Sequence, residues 1–170
     1  DKIDGLRFAV DPKHLKKSLQ IINIVKKKYR KLSFNINLMY LSRWYNQNNF
    51  VTGIIKTINK FNKKKIIDVV TFVDSFGAMT PEKVNNFFYF INGKKLKNIS
   101  IGCHFHNNCN LALANTLGAI NNCKFVDLTF LGFGRGAGNA ETELFLVIKF
   151  AKASNITDFD LGNLIEKLQI

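Results

Sequence analysis

Five short, β-prone apolar runs, at residues 5–10, 32–39, 69–74, 99–104 and 125–131, begin roughly 30 residues apart, the length of one strand-helix-strand unit. No other feature limits the possible folds so strongly. The intervening segments carry helical punctuation. Asp11-Pro12 offers a capping carboxylate and a first-turn proline ahead of Leu15, Leu19, Ile22 and Val25 at helical spacing. Thr80-Pro81-Glu82 repeats that signature before Val84, Phe87, Phe88 and Ile91. Residues 110–120 are small and apolar enough to lie close on a sheet, 141–153 and 161–168 are further helical segments, and 44–61 is read as helix without such punctuation. Strands that alternate with helices and are read as apolar throughout predict an α/β fold with a parallel sheet covered by helices. An open doubly wound sheet and a barrel both satisfy this pattern. A complete eight-unit barrel needs about 250 residues, so five units correspond to a little over half of one.

The 170 residues, 46% hydrophobic and 22% charged, hold ample material for one core. No linker or low-complexity tract divides them, which predicts a single domain over 1–170. The apolar stretches are too short and interrupted for a membrane span, and no secretory apolar region follows the first residues. The expected location is therefore cytoplasmic, with Cys103, Cys109 and Cys123 as reduced thiols. A chain opening on Asp1 rather than Met is expected to be an excised piece.

The net charge of +13 meets the first electrostatic requirement of a nucleic-acid-binding protein. Yet Arg7, Arg30, Arg43 and Arg135 are the only arginines, and the lysines accompany abundant Asn, Ile and Phe, a pattern of residue bias. The runs Lys26 to Lys28 and Lys63 to Lys65 precede apolar segments, where helix C-terminal turns favour cations. No basic-aromatic interleaving of the RNA-binding kind occurs. The expectation is no nucleic-acid partner and no membrane partner.

Polar residues gather where the strands are predicted to end: Asp74-Ser75, then His104-Phe105-His106-Asn107-Asn108, then residues 132–139. In parallel α/β folds that rim is where active sites form. Strand side chains alternate, so His104 and His106 project to one side and Phe105 to the other, giving a two-point grip for a metal ion. Cys103 and His104 are neighbours on opposite faces, so a tetrahedral zinc set with Cys109 would require a broken strand. The run Gly132-Phe133-Gly134-Arg135-Gly136-Ala137-Gly138-Asn139 fits neither the dinucleotide nor the P-loop spacing. It is either a pliable strand-to-helix turn or a loop whose backbone must approach a ligand closely.

Taken in order, Val73-Asp74-Ser75-Phe76-Gly77-Ala78-Met79, Gly102-Cys103-His104-Phe105-His106-Asn107-Asn108 with Leu113-Ala114-Asn115-Thr116, and Asp127 with residues 132–139 and Glu143 resemble the DRE-TIM metallolyase superfamily. The likeness is closest to 4-hydroxy-2-oxovalerate aldolase-like enzymes, and it extends more loosely from Leu6 to about Ile148. It implies an incomplete TIM (β/α)8 barrel, with the last five βα units present and the chain starting at the fourth strand. The histidine pair would lie on the seventh strand and the glycine-rich loop after the eighth. It further implies a divalent cofactor, Mn²⁺ or Mg²⁺, with His104, His106 and Asn139 as metal ligands, the last by likeness to the HMG-CoA lyase branch. Ser75, His104 and Arg135 would bind the substrate, although Ser75 also suits a turn and Arg135 could cap backbone carbonyls. The superfamily's first-strand aspartate ligand and its neighbouring arginine have no counterpart: Asp4-Gly5-Leu6 has Ile3 where that arginine would stand. The catalytic residues are thus unassigned. Phe133 replaces the usual Met or Leu.

The implied reaction is carbon-carbon bond cleavage or formation in a 4-hydroxy-2-oxo acid, giving pyruvate and an aldehyde, with the metal ion stabilising the enolate. Without the first-strand pair, the chain alone is expected to be inactive. The alternatives are a Claisen-type acyl transferase of the isopropylmalate or homocitrate synthase kind, which usually shows His-Asn-Asp where His106-Asn107-Asn108 stands, and a non-catalytic basic module that binds nucleic acid. A homo-oligomer, or a dehydrogenase that takes up the aldehyde, is the protein partner the resemblance implies.

Overall fold

The computed structural model describes residues 3–154 and residue 166, so the helix expected at 161–168 lies outside the described residues except at that one position. Strands β1 (Gly5–Val10), β2 (Ser33–Leu38), β3 (Val69–Asp74), β4 (Ser100–Phe105) and β5 (Phe125–Asp127) form one sheet in that order, each pair parallel. Helices α1 (Leu15–Lys28), α2 (Asn48–Phe61), α3 (Pro81–Lys94), α4 (Ala112–Ala119) and α5 (Thr142–Ser154) follow the strands in turn. Sequential order decides between the two candidate architectures. Right-handed crossovers that always advance by one strand put every helix on the same face, whereas a doubly wound sheet reverses its strand order. The molecule is a sector of a (β/α)8 barrel.

The register sorts the side chains into rows. Phe8, Ile36, Val70 and Ile101 form one row and Leu38, Phe72, Cys103 and Val126 another, all in or against the core beneath the helices. Ala9, Asn37, Thr71 and Gly102 run along the opposite, concave face, followed nearer the strand ends by Val73, His104 and Asp127. The expectation of uniformly apolar strands therefore holds for β3, which is buried throughout, and fails for β1 and β2, which alternate. Their second face is the barrel interior, and it carries Arg7, Asn35 and Asn37. The fifth strand is also shorter than expected. It ends at Asp127, and Leu131 adopts a left-handed conformation (φ 51°) within a 3-10 turn. Phe130 and Leu131, 77% and 69% exposed, are loop residues despite their β-prone composition.

Local chemistry accounts for the helix boundaries. The Asp11 carboxylate accepts from the Lys13 amide at 2.9 Å, and Pro12 occupies the single 3-10 turn that leads into α1. Lys26, Lys27 and Lys28 fill the last turn of α1, where cations complement the helix dipole, and Lys63 and Lys64 lie in the 3-10 turn after α2. Helix α2 begins at Asn48, later than residue 44, because residues 41–43 form a 3-10 turn that drives the Trp44 ring inward. Trp44 Nε1 donates to Met39 O (2.9 Å), and its ring meets Phe50, Phe72 and Phe87. Among the described residues no helix is long and apolar enough to cross a membrane.

Phe72 lies at the centre of this packing, with its ring edge-to-face against Phe87 and Phe88 at 5.0 and 5.9 Å. Phe72→Ala should cost about 3–5 kcal/mol, read as a lower urea midpoint with an unchanged slope. A loss below about 1 kcal/mol would place the packing centre elsewhere.

Candidate active site at the strand ends

The strands' C-terminal ends bring together three loops that are far apart in sequence. His104 leaves β4 toward the concave face beside Asp127, and His106 lies just past the strand end, its amide donating to Asp74 O at 3.3 Å. The two imidazoles face each other with centroids 5.0 Å apart, while Phe105 between them is fully buried on the helix side. Cys103 is likewise buried on the helix side and Cys109 is exposed, so neither joins the histidines in a zinc set. Contact with Cys123, reinforced by burial, pushes the Cys103 thiol well above its ordinary range, which leaves it un-ionised.

Asn139 comes to this pair through the glycine-rich loop, bridging back to His106. Its Nδ2 donates to Phe133 O (3.1 Å) and approaches Thr129 Oγ1 (3.5 Å). Those contacts fix the amide orientation and leave Oδ1 buried with no hydrogen-bond partner among the described residues. The loop must be tightly folded to achieve this. Gly138 has φ +86°, and a Cβ there would collide with Gly132 O. The turn after β3 is equally close: Gly77 has φ +55°, and a Cβ on it would meet His106 O at 2.5 Å.

Asp74 is fully buried and holds its own turn, Oδ2 accepting from the Met79 amide at 2.9 Å. Ser75 is also buried; its Oγ accepts from the Tyr40 amide (2.9 Å), and its carbonyl accepts from Arg135 Nη2 (2.9 Å). Arg135 thus ties the glycine-rich loop to the β3 turn. Three residues that sequence reasoning left without a role complete the site. Asn108 Nδ2 donates to Phe76 O (2.9 Å) and its Oδ1 accepts from the Ala137 amide (3.3 Å), bridging two loops. Asp127 and Arg7 form an ion pair of 2.7 Å beside His104. Strand alternation could have flagged Asp127 and Arg7 as inward-facing, but pairing them needs the curvature that lets a side chain of β1 reach β5.

The electrostatics follow from burial and neighbours. Burial, with the nearby His104 and the Arg135 guanidinium, lowers the His106 pKa below the ordinary histidine value, favouring the neutral ring. Burial opposes ionisation of Asp127, but His104 and Arg7 outweigh it and hold the carboxyl below its ordinary value. Among the described residues no three His, Cys, Asp or Glu side chains converge as a complete metal-binding group. What they supply is partial and suited to a divalent ion: two imidazoles on one side of a strand, a buried His106 Nδ1 without a partner, and the unpaired Asn139 Oδ1.

A barrel sector with a His-x-His pair and a Gly-Asn loop at its strand ends is the architecture of the DRE-TIM lyases and aldolases. Residues 8–169 match the HMGL-like family model, and the chain belongs to that family. A 4-hydroxy-2-oxovalerate aldolase of Pelotomaculum thermopropionicum is 42% identical over 100 residues, 58% of this chain and 29% of that protein. An oxaloacetate decarboxylase of Mycobacterium tuberculosis is 27% identical over 167 residues, 98% of this chain and 46% of the relative. The crystal structure of the N-terminal domain of an aldolase-like protein from Bacteroides vulgatus superposes with a TM-score of 0.76 at 32% identity, covering 96% of this chain and 52% of that one. The chain therefore spans about half, or less, of the length of these relatives.

Removing the Asn108 amide should detach the glycine-rich loop from its neighbours. In Asn108→Ala, with two hydrogen bonds gone at about 0.5–1.5 kcal/mol each, amide exchange over residues 132–138 should accelerate while β3 stays protected. Unchanged exchange would show that Arg135 and the Asn107 amide, which donates to Gly138 O, hold the loop without Asn108.

Proposed function

We propose that this chain is the C-terminal part of a divalent-metal-dependent aldolase acting on a 4-hydroxy-2-oxo acid, with residues 1–170 as one domain. The observation that carries the reading is the pairing of His104 and His106, with Asn139, whose Oδ1 has no partner among the described residues, bridged to His106 through the backbone. His104, His106 and Asn139 hold the Mn²⁺ or Mg²⁺ ion, which supplies Lewis-acid stabilisation of the charge developing on the keto oxygen. The neutral state of His106 leaves a nitrogen lone pair to donate. Arg135 spends one N–H on Ser75 O and keeps the rest of its fork for a carboxylate. Ser75 Oγ, already accepting from the Tyr40 amide, retains its own proton for the same carboxylate. His104, on the concave face, would touch both ion and substrate.

Among the described residues no third acidic group converges with the two histidines, Asp127 being paired with Arg7 instead, and the superfamily's first-strand aspartate and arginine have no counterpart, so the chain alone binds a metal ion weakly and does not turn over. A second reading is favoured by the near-complete coverage of this chain by the mycobacterial relative, named an oxaloacetate decarboxylase. Aldol cleavage and decarboxylation of a 2-oxo acid both develop negative charge on the same keto oxygen and differ in what leaves.

Two measurements test the proposal. Mn²⁺ titration of the chain, followed by electron paramagnetic resonance, should show binding that His104→Ala or His106→Ala weakens by more than about 100-fold, beyond what loss of a supporting contact causes. In the longer polypeptide that carries this sequence, pyruvate should form from a 4-hydroxy-2-oxo acid and cease on chelation. Pyruvate from oxaloacetate alone would favour the decarboxylase, consumption of acetyl-CoA would favour the acyl transferase, and turnover by the isolated chain would contradict the partial-site reading.

A further inference from the structure

Arg7 and Asp127 are 120 positions apart and lie on the two edge strands of the sheet, yet Arg7 Nη1 reaches across the concave face to Asp127 Oδ2 at 2.7 Å. The same carboxylate oxygen stands 3.5 Å from His104 Nδ1. That nitrogen is buried and has no hydrogen-bond partner, and 3.5 Å lies beyond a well-formed N–H···O bond. Among the described residues the carboxylate is nonetheless the acidic group that faces it, because His104 and Asp127 are register partners on β4 and β5. A neutral imidazole carries its proton on either nitrogen, and whichever one faces a carboxylate keeps it.

We infer that Asp127 is a positioning residue, holding the His104 proton on Nδ1 so that Nε2 presents a bare lone pair, and that Arg7 holds Asp127 in place for this. Arg7 also occupies the carboxylate's charge, so Asp127 supports the imidazole instead of turning away from it. Side-chain exposures of 15% for Asp127 and 18% for His104 leave both partners only partly open to water, while Arg7 is 49% exposed. An ion held at Nε2 would strengthen this contact. This inference rests on the metal-binding reading for its purpose but not for its first test.

Only three histidines are present, at 14, 104 and 106, so long-range ¹H–¹⁵N spectra of the metal-free chain at pH 8 can be assigned with His14→Gln and His106→Gln. His104 should appear as the Nδ1–H form, and Asp127→Asn should shift it toward Nε2–H. Asp127→Asn should weaken Mn²⁺ binding by about 10–100-fold, Asp127→Glu should recover part of the loss, and Arg7→Gln should weaken binding less. Circular dichroism checks the fold, and the native spectrum needs no variant at Asp127. A native His104 in the Nε2–H form overturns this inference whatever the metal does, as does Mn²⁺ binding left unchanged by Asp127→Asn. A native Nδ1–H form with no Mn²⁺ uptake overturns the metal reading and leaves the Asp127 contact standing.

Discussion

The parallel pairing of β4 between β3 and β5 is the constraint on which the rest of the structure depends. Because the three strands run in register, one set of alternate residues goes to the helices and the other to the barrel interior. Phe72, Cys103 and Val126 supply burial in one direction, and Val73, His104 and Asp127 line the other. A one-residue slip of β4 would exchange these sets, placing His104 in the aromatic core and Cys103 on the concave face. Burial of Cys103 and Phe105 of β4 in the core opposes that slip, so the apolar core under the helices indirectly fixes the direction of both imidazoles.

The loops beyond the strands have no such core and are held by one another. Gly77 allows the β3 turn to lie against His106 O, Arg135 crosses from the glycine-rich loop to Ser75 O, and Asn108 bonds Phe76 O on one side and the Ala137 amide on the other. Nearly all these contacts use backbone groups of the partner loop, so they fix loop positions without consuming the side chains that face the mouth. Asn139 illustrates the outcome. Its amide nitrogen is committed to Phe133 O, and its oxygen is left over, buried in a residue whose backbone bridges to His106. An unpaired buried oxygen is costly in a loop with no ligand to satisfy it.

Elements whose identity depends on local chemistry were legible in the sequence. Strands β1 and β3 occupy the residues expected for them, and α3 starts at the proline that announced it. The histidine pair could be placed on one side of a strand because alternation is a local property. Where non-local forces decide, the reading fell short. Residues 128–131 look β-prone, but Thr129 bridges to Glu141 and the chain turns away from the sheet. The polar face of β1 and β2 was missed because spacing alone does not reveal that one side of the sheet is an interior. Asn35 and Asn37 carry that information only once β2 lies between two strands. Arg7 and Asp127 were visible as residues and unreadable as a pair, since a single sequence does not contain the curvature that lets a side chain of β1 reach β5. Asn139 was reached through family likeness and not through any pattern within the chain.

A chain with a net charge of +13 is at first sight a poor host for a dication. The topology resolves this. The lysine clusters at 26–28, 63–65 and 94–97, together with Lys124, lie in or just after helix ends and so at the N-terminal ends of the following strands. The imidazoles lie at the opposite ends, and a six-residue strand such as β3 separates the two rims by about 20 Å. The Debye length at physiological ionic strength is about 8 Å, so those lysines are screened from the mouth by more than two such lengths. The potential there is set by the few charges nearby. Arg135 is bound to the Ser75 carbonyl, and the Arg7 guanidinium is matched by Asp127 at 2.7 Å. The basic composition and the proposed cation-binding rim are therefore compatible, because the sequential βα order that builds the barrel also carries these lysine clusters to its other end, leaving Lys13, Lys16, Lys17 and Lys83 at the helix starts on the imidazole side.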